Sequence, residues 1–160
     1  MFAKPQREHE WLSNLIGDWT YESEATMAPG EPPHKMAGRE TVRSLGGLWI
    51  LCECEGEMQQ GGLAQMIITL GFDPAKGRFV GTFVGSMKAN LWVYDGELDP
   101  AGKVLTLNAE GPSFAGDGKL AHYQDIIEVK SNDHRILSSQ VLGEDGKWTR
   151  FMTSHYRRKK

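Results

Sequence analysis

Residues 17–26, GDWTYESEAT, put Trp19, Tyr21, Ser23 and Ala25 on one side of an extended chain and Asp18, Thr20, Glu22, Glu24 and Thr26 on the other. Successive side chains of an extended backbone point to opposite faces, so this alternation is the period of a half-buried strand. Similar segments, each closed by turn chemistry, occupy the rest of the chain: 36–45, 48–57, 64–73, 78–86, 90–98, 103–110, 119–130, 135–142 and 147–158. The turns between them include Gly46-Gly47, Gly61-Gly62, Asp73-Pro74-Ala75-Lys76-Gly77, Asp99-Pro100-Ala101-Gly102, Asn132-Asp133 and Glu144-Asp145-Gly146. Glycine supplies the positive φ that tight turns need, and Asp, Asn and Pro set up the preceding positions. Longer Pro/Gly-rich loops are expected at 28–34 and 111–118.

Only one stretch has helical period. Between Gln6 and Ile16 the apolar residues Trp11, Leu12, Leu15 and Ile16 recur on one face, after Pro5 and before Gly17, which predicts a short amphipathic helix over 6–16. Ten strands joined by short connections and no crossover helix make an antiparallel meander. An open meander of that size leaves two unpaired edges, and closure removes both. The expected fold is therefore all-β, an up-and-down antiparallel barrel of about ten strands with a short N-terminal helix. It forms a single domain over 1–160, with the barrel at 17–158. Barrel diameter grows with strand number, and eight strands already leave room for packed side chains or one small ligand. Ten strands should enclose a cavity.

Charge and composition exclude several function classes. Eighteen Lys and Arg against 21 Asp and Glu leave a formal charge of −3, so no global field recruits nucleic acid or anionic membrane. The terminal Arg157-Arg158-Lys159-Lys160 run reads as a solvated tail. No secretory h-region is expected near the start, and the longest apolar run, Leu48–Cys52, is far too short to span a bilayer as a helix. Cys52 and Cys54 share one strand face at a spacing awkward for a disulfide, and no second pair completes a zinc site. They read as reduced thiols, and the expected location is the cytoplasm.

The strand faces carry the functional argument. Trp19 and Tyr21 alternate against surface charges, and Trp92, Tyr94 and Leu98 alternate against Asp95 and Glu97. Rings with polar tips suit a ligand chamber, offering contact area and a hydrogen-bonding handle. Candidate lining residues are Trp19, Tyr21, Trp92 and Tyr94, with Met66 and Tyr123 beside them. Other strands are apolar on both faces: Trp49 and Leu51 oppose Ile50 and Cys52, and Leu137 and Val141 oppose Ile136 and Leu142. An outer wall covered by a second subunit explains this, so a homodimer is expected.

Longer motifs carry a family resemblance. Gly17-Asp18-Trp19 directly after a short helix resembles the opening of lipocalins and fatty-acid-binding proteins. Across nearly the whole chain, Glu8-His9-Glu10-Trp11-Leu12, Arg43-Ser44-Leu45-Gly46-Gly47, Leu70-Gly71-Phe72-Asp73-Pro74, Gly96-Glu97-Leu98, Gly111-Pro112 and Tyr156-Arg157 are similar to the bacterial domain-of-unknown-function family 1579. The resemblance implies a calycin-like barrel in which Trp19 closes the base and Arg157 packs across it. It also implies kinship with haem-binding nitrobindins, but no known activity. His155 departs from the family, which more usually has a small or acidic residue there.

The expected function is non-enzymatic: a small apolar molecule held inside the barrel. Haem bound through His155 is one alternative, since His155 shares strand parity with Phe151, Thr153 and Arg157 and would point inward if Arg157 covers Trp19. A ligand-free interaction module working through the outer wall is another. An enzyme is a third, although the chain lacks G-x-S-x-G, H-E-x-x-H, P-loop and G-x-G-x-x-G motifs. Among acid–base candidates, His122 and Gln124 share a face opposite Tyr123 and Asp125, while Glu40, Glu53 and Arg150 have no assigned place. Each reads more simply as a surface or cross-strand partner.

Overall fold

The computed structural model describes residues 2–26, 30–59 and 61–160, so Ala28 and Pro29 of the expected loop lie outside the described residues. Helix α1 (Arg7–Ser13) precedes ten strands: β1 (Gly17–Ala25), β2 (His34–Leu45), β3 (Trp49–Met58), β4 (Leu63–Asp73), β5 (Arg78–Gly85), β6 (Lys88–Leu98), β7 (Val104–Pro112), β8 (Leu120–Ser131), β9 (His134–Leu142) and β10 (Trp148–Arg158). Every strand pairs antiparallel with its neighbour in sequence, and β1 pairs with β10 to close the barrel. In the closing ladder Trp19 faces Arg158, Tyr21 faces Tyr156 and Ser23 faces Ser154. No helix among the described residues is long and apolar enough to cross a membrane.

Alternation sorts the side chains as the strand period requires. Trp19, Val42, Ile50, Leu70, Phe79, Leu105, Leu107 and Ile127 fill the interior near the helix. Outside, cross-strand pairs such as Arg43–Glu53 and Arg78–Asp95, each at 2.8 Å, are exposed and worth roughly 0–1 kcal/mol apiece.

The helix is shorter than its hydrophobic period suggested, but it seals one end of the barrel. Leu12 and Leu15 are buried in the core. The Trp11 indole N–H donates to the Gly102 carbonyl at 2.7 Å, and the Trp19 indole N–H donates to Leu15 O at 3.0 Å. His9 accepts the Gln6 backbone N–H at Nδ1, 2.9 Å, and its Nε2 lies 3.0 Å from Phe72 O. With Nδ1 accepting, Nε2 carries the proton and donates to that carbonyl, so the ring is neutral.

Arg158 completes the seal. Its guanidinium donates to Ile16 O at 2.7 Å and Asn14 O at 2.9 Å, satisfying carbonyls that the helix end leaves open. It also lies 4.3 Å from the Trp19 ring centroid. This corrects the expectation for Arg157, which is exposed; the arginine across Trp19 is the next residue. Gly17 has φ +140°, and a Cβ there would strike the Arg158 guanidinium, which is why glycine suits the start of this motif.

Candidate functional site

A chamber of about 250 Å³ occupies the barrel between the helix-sealed base and the opposite mouth. That exceeds the ~150 Å³ apolar cavity that accommodates a benzene. Met87, in the β5–β6 turn, and Phe114, in the β7–β8 loop, reach it from the mouth and are both partly exposed. Below them Trp92 and Tyr123 meet edge to face with centroids 5.0 Å apart, and Phe151 packs on Phe114 at 4.9 Å. The Tyr123 hydroxyl donates to Pro112 O at 2.5 Å, which fixes its ring. Gly111 admits the Trp92 ring, since any Cβ there would overlap it. Four methionines, Met36, Met66, Met87 and Met152, also line the chamber. Unbranched thioethers adapt their shape to what they contact.

Of the residues expected to line a chamber, Tyr21, Met66, Trp92, Tyr94 and Tyr123 border it. Trp19 faces inward but sits beneath the chamber as part of the sealed base, 2% exposed. His155 does not join them. It is exposed on the outer face, stacked on His134 with ring centroids 5.4 Å apart and a 3.1 Å Nε2–Nδ1 separation. The closing ladder pairs His155 with the exposed Glu22 and sets Arg158, not Arg157, opposite Trp19, and β10 shifts register between Arg150 and Met152. Phe151 and Met152 consequently both line the chamber, so parity counted from Phe151 fails past that point. Among the described residues no histidine lines the chamber, and the residues present do not fit a haem held through His155. Among the described residues no group of three or more His, Cys, Asp or Glu could hold a metal ion.

Two residues of opposite charge lie inside the barrel. Glu40 and Arg135 form a buried ion pair, with side chains 3% and 5% exposed. The Arg135 guanidinium stacks 4.6 Å from the Trp19 ring centroid and 4.0 Å from that of Tyr156. Burial pushes the Glu40 carboxyl above its usual range while the guanidinium opposes that shift. Arg135 remains charged, because a guanidinium does not lose its proton in proteins.

The second acid is Asp125. Tyr94 donates its hydroxyl to Oδ2, and Ser139 Oγ donates to Oδ1 at 2.5 Å. Burial raises the Asp125 pKa, and these two donors pull the other way. Burial likewise holds the Tyr94 phenol well above its ordinary value. Asp125 has no ion-pair partner among the described residues.

The two thiols are unreactive. Cys52 and Cys54 are free. Burial pushes the Cys54 thiol up to about 12 and Cys52 well above its usual value, so neither is a nucleophile near neutral pH. The Tyr21 hydroxyl and the Asn90 Nδ2 are buried without a hydrogen-bond partner. The other acid–base candidates stay outside the chamber: His122 and Arg150 are exposed, Glu53 pairs with Arg43, and Gln124 bonds Asn108 at 2.9 Å.

A sealed base, a tryptophan under an arginine and a chamber open at the far end define a calycin-like barrel. Residues 4–158 match DUF1579, a protein family of unknown function, and the chain belongs to it. Rv2717c from M. tuberculosis is similar over 98% of this chain and 100% of its own, with TM-score 0.70 and 13% identity. The S-type phycobiliprotein lyase CPES from Guillardia theta is similar over 98% of this chain and 99% of its own, with TM-score 0.65 and 13% identity. The barrel EF1p2_mFAP2b bound to DFHBI aligns over 95% of this chain and 99% of its own, with TM-score 0.52 and 11% identity. At these identities the likeness is one of fold. No curated protein matches the chain.

Proposed function

We propose that this protein is a non-enzymatic binding protein that holds one small, largely apolar molecule in the barrel chamber. The observation that carries this reading is the 250 Å³ space itself, walled by Met, Trp, Tyr and Phe side chains rather than filled by them. Apolar walls with a few fixed polar groups describe a small-molecule site. Trp92 and Tyr94 are the anchoring rings, with Met66, Tyr21 and Tyr123 completing the contact surface. The unpartnered Asn90 amide offers a donor to the ligand. Fold neighbours include a barrel bound to DFHBI, which supports binding as a use of this architecture.

The reading extends to a cytoplasmic homodimer. Ile67, Val84, Leu91 and Val93 are exposed on the outer wall, where Ile67 pairs with Val84 across β4 and β5. A second copy covering that wall would bury them.

Native mass spectrometry of protein purified without added ligand tests both parts. An adduct of defined mass that disappears in Trp92→Ala and Tyr94→Ala supports the chamber, and twice 17.9 kDa supports the dimer. Ligand retention unaffected by both substitutions refutes the assignment of those rings.

A further inference from the structure

Deepening the proposed ligand chamber, we infer that its occupant is an organic amine carrying a positive charge, with its ammonium group on Asp125 and its apolar body among the aromatic rings. Asp125 borders the chamber with both carboxylate oxygens already accepting hydrogen bonds, one from Tyr94 and one from Ser139. Two donors converging on two oxygens is an arrangement built for the ionised carboxylate. Each oxygen retains a second lone pair that no described residue uses.

Among the described residues the charge has no counterpart. Glu40 and Arg135 neutralise each other. Lys88, the other cation bordering the chamber, sits exposed at the start of β6 near the mouth and makes no ion pair with Asp125. A carboxylate taken from water without a cation is expensive, and a ligand bringing the missing charge recovers that cost.

The walls select the same ligand. Tyr123 lies two residues before Asp125 on the same face of β8, and Trp92 lies two residues before Tyr94 on β6. The Trp92, Tyr123, Phe114 and Phe151 rings therefore stand on the mouth side of the carboxylate. Aromatic faces attract cations most strongly where water is excluded. The fold already uses this chemistry at its base, where Arg135 stacks on Trp19 and Tyr156. An anion would meet Asp125 with nothing to offset the repulsion, and a neutral alcohol would leave the buried charge uncompensated.

The test compares three molecules with one apolar body: phenethylamine, phenethyl alcohol and phenylacetate, titrated near neutral pH by calorimetry and tryptophan fluorescence. The amine should bind about tenfold or more tighter than the alcohol, the discrimination one charge-assisted hydrogen bond commonly contributes. Phenylacetate should bind weakest. Asp125→Asn keeps the shape and should bring amine and alcohol within about twofold of each other. Alcohol binding as tightly as amine to the unaltered protein overturns the inference and leaves the chamber reading standing. An amine preference that survives Asp125→Asn overturns it as well. Saturable binding of none of the three overturns the inference, while the chamber reading keeps its own test in the mass of a retained ligand. If Asp125→Asn fails to fold, the ranking on the unaltered protein decides alone.

Discussion

Glu40→Gln and Arg135→Met break the same buried ion pair but should not behave alike. Glu40→Gln strands a guanidinium that is 5% exposed and cannot shed its charge. Removing one partner of a buried pair costs about 3–5 kcal/mol, because the survivor is left desolvated and uncompensated. For a chain of this size each kcal/mol moves the melting temperature by about 2–4 °C, so a drop of roughly 6–20 °C is expected. That drop should shrink as pH rises above about 4, because burial raises the Glu40 pKa and the stability this carboxyl contributes declines there. Arg135→Met removes the stacking on Trp19 and Tyr156 and leaves Glu40, which can escape by taking up a proton.

Burial already raises the Glu40 pKa in the folded state, and losing Arg135 raises it further. Above the unfolded value of about 4.3, the folded form then holds the extra proton. Stability consequently falls as pH rises toward the folded pKa. The Arg135→Met deficit should be small near pH 5 and large near pH 8. Urea unfolding of both variants at those two pH values measures it. The reasoning is refuted if Glu40→Gln costs under about 1 kcal/mol, or if both deficits show the same pH dependence.

Three further outcomes are expected. Replacing Asp125 by Asn should remove a stability term that declines as pH rises above about 4, since burial raises the Asp125 pKa on folding; the stability difference between native protein and variant should therefore slope downward with pH, and a flat difference contradicts it. A Cβ at Gly56 would overlap the Tyr21 hydroxyl and come within 2.9 Å of Met36 Cγ, so Gly56→Ala should cost about 1–3 kcal/mol in urea unfolding, with an unchanged midpoint as the contrary result. Ellman's reagent should find neither thiol in the native protein and both after denaturation, because Cys52 and Cys54 are buried or half-buried with raised pKa values; rapid native modification of Cys54 would show the chamber wall to be open there.

Much of the architecture was legible because strand and turn signals are local. Glycine or Asp-Pro turns punctuate the chain at most hairpins, and all ten expected strands form within a few residues of their anticipated limits. The inward faces of β1 and β6 were also readable, because Trp19 and Tyr21 alternate against Asp18, Thr20 and Glu22, and Trp92, Tyr94 and Leu98 lie on the face opposite Asp95 and Glu97. The expected helix ran past Ser13 because the apolar period continues to Ile16, whereas Leu15 and Ile16 belong to the turn into β1.

What the amino-acid order determined by itself was thus the all-β meander and the aromatic half of the chamber, since both follow from period and turn chemistry within a few neighbouring residues. The polar half was decided by tertiary structure alone. Glu40 and Arg135 lie far apart in sequence, on β2 and β9, and each looks like a surface charge until barrel closure places them side by side. Asp125 is inward only because β8 lies with Tyr123 and Ile127 on its buried face. His155 turned outward and Arg158 took the place expected of Arg157, because the closing ladder pairs His155 with Glu22 and Arg158 with Trp19, while an irregularity between Arg150 and Met152 breaks the parity with Phe151. A strand has a period of two, so a single extra residue reverses every side chain beyond it. Where that residue falls is settled by pairing with a neighbouring strand, which no local pattern contains.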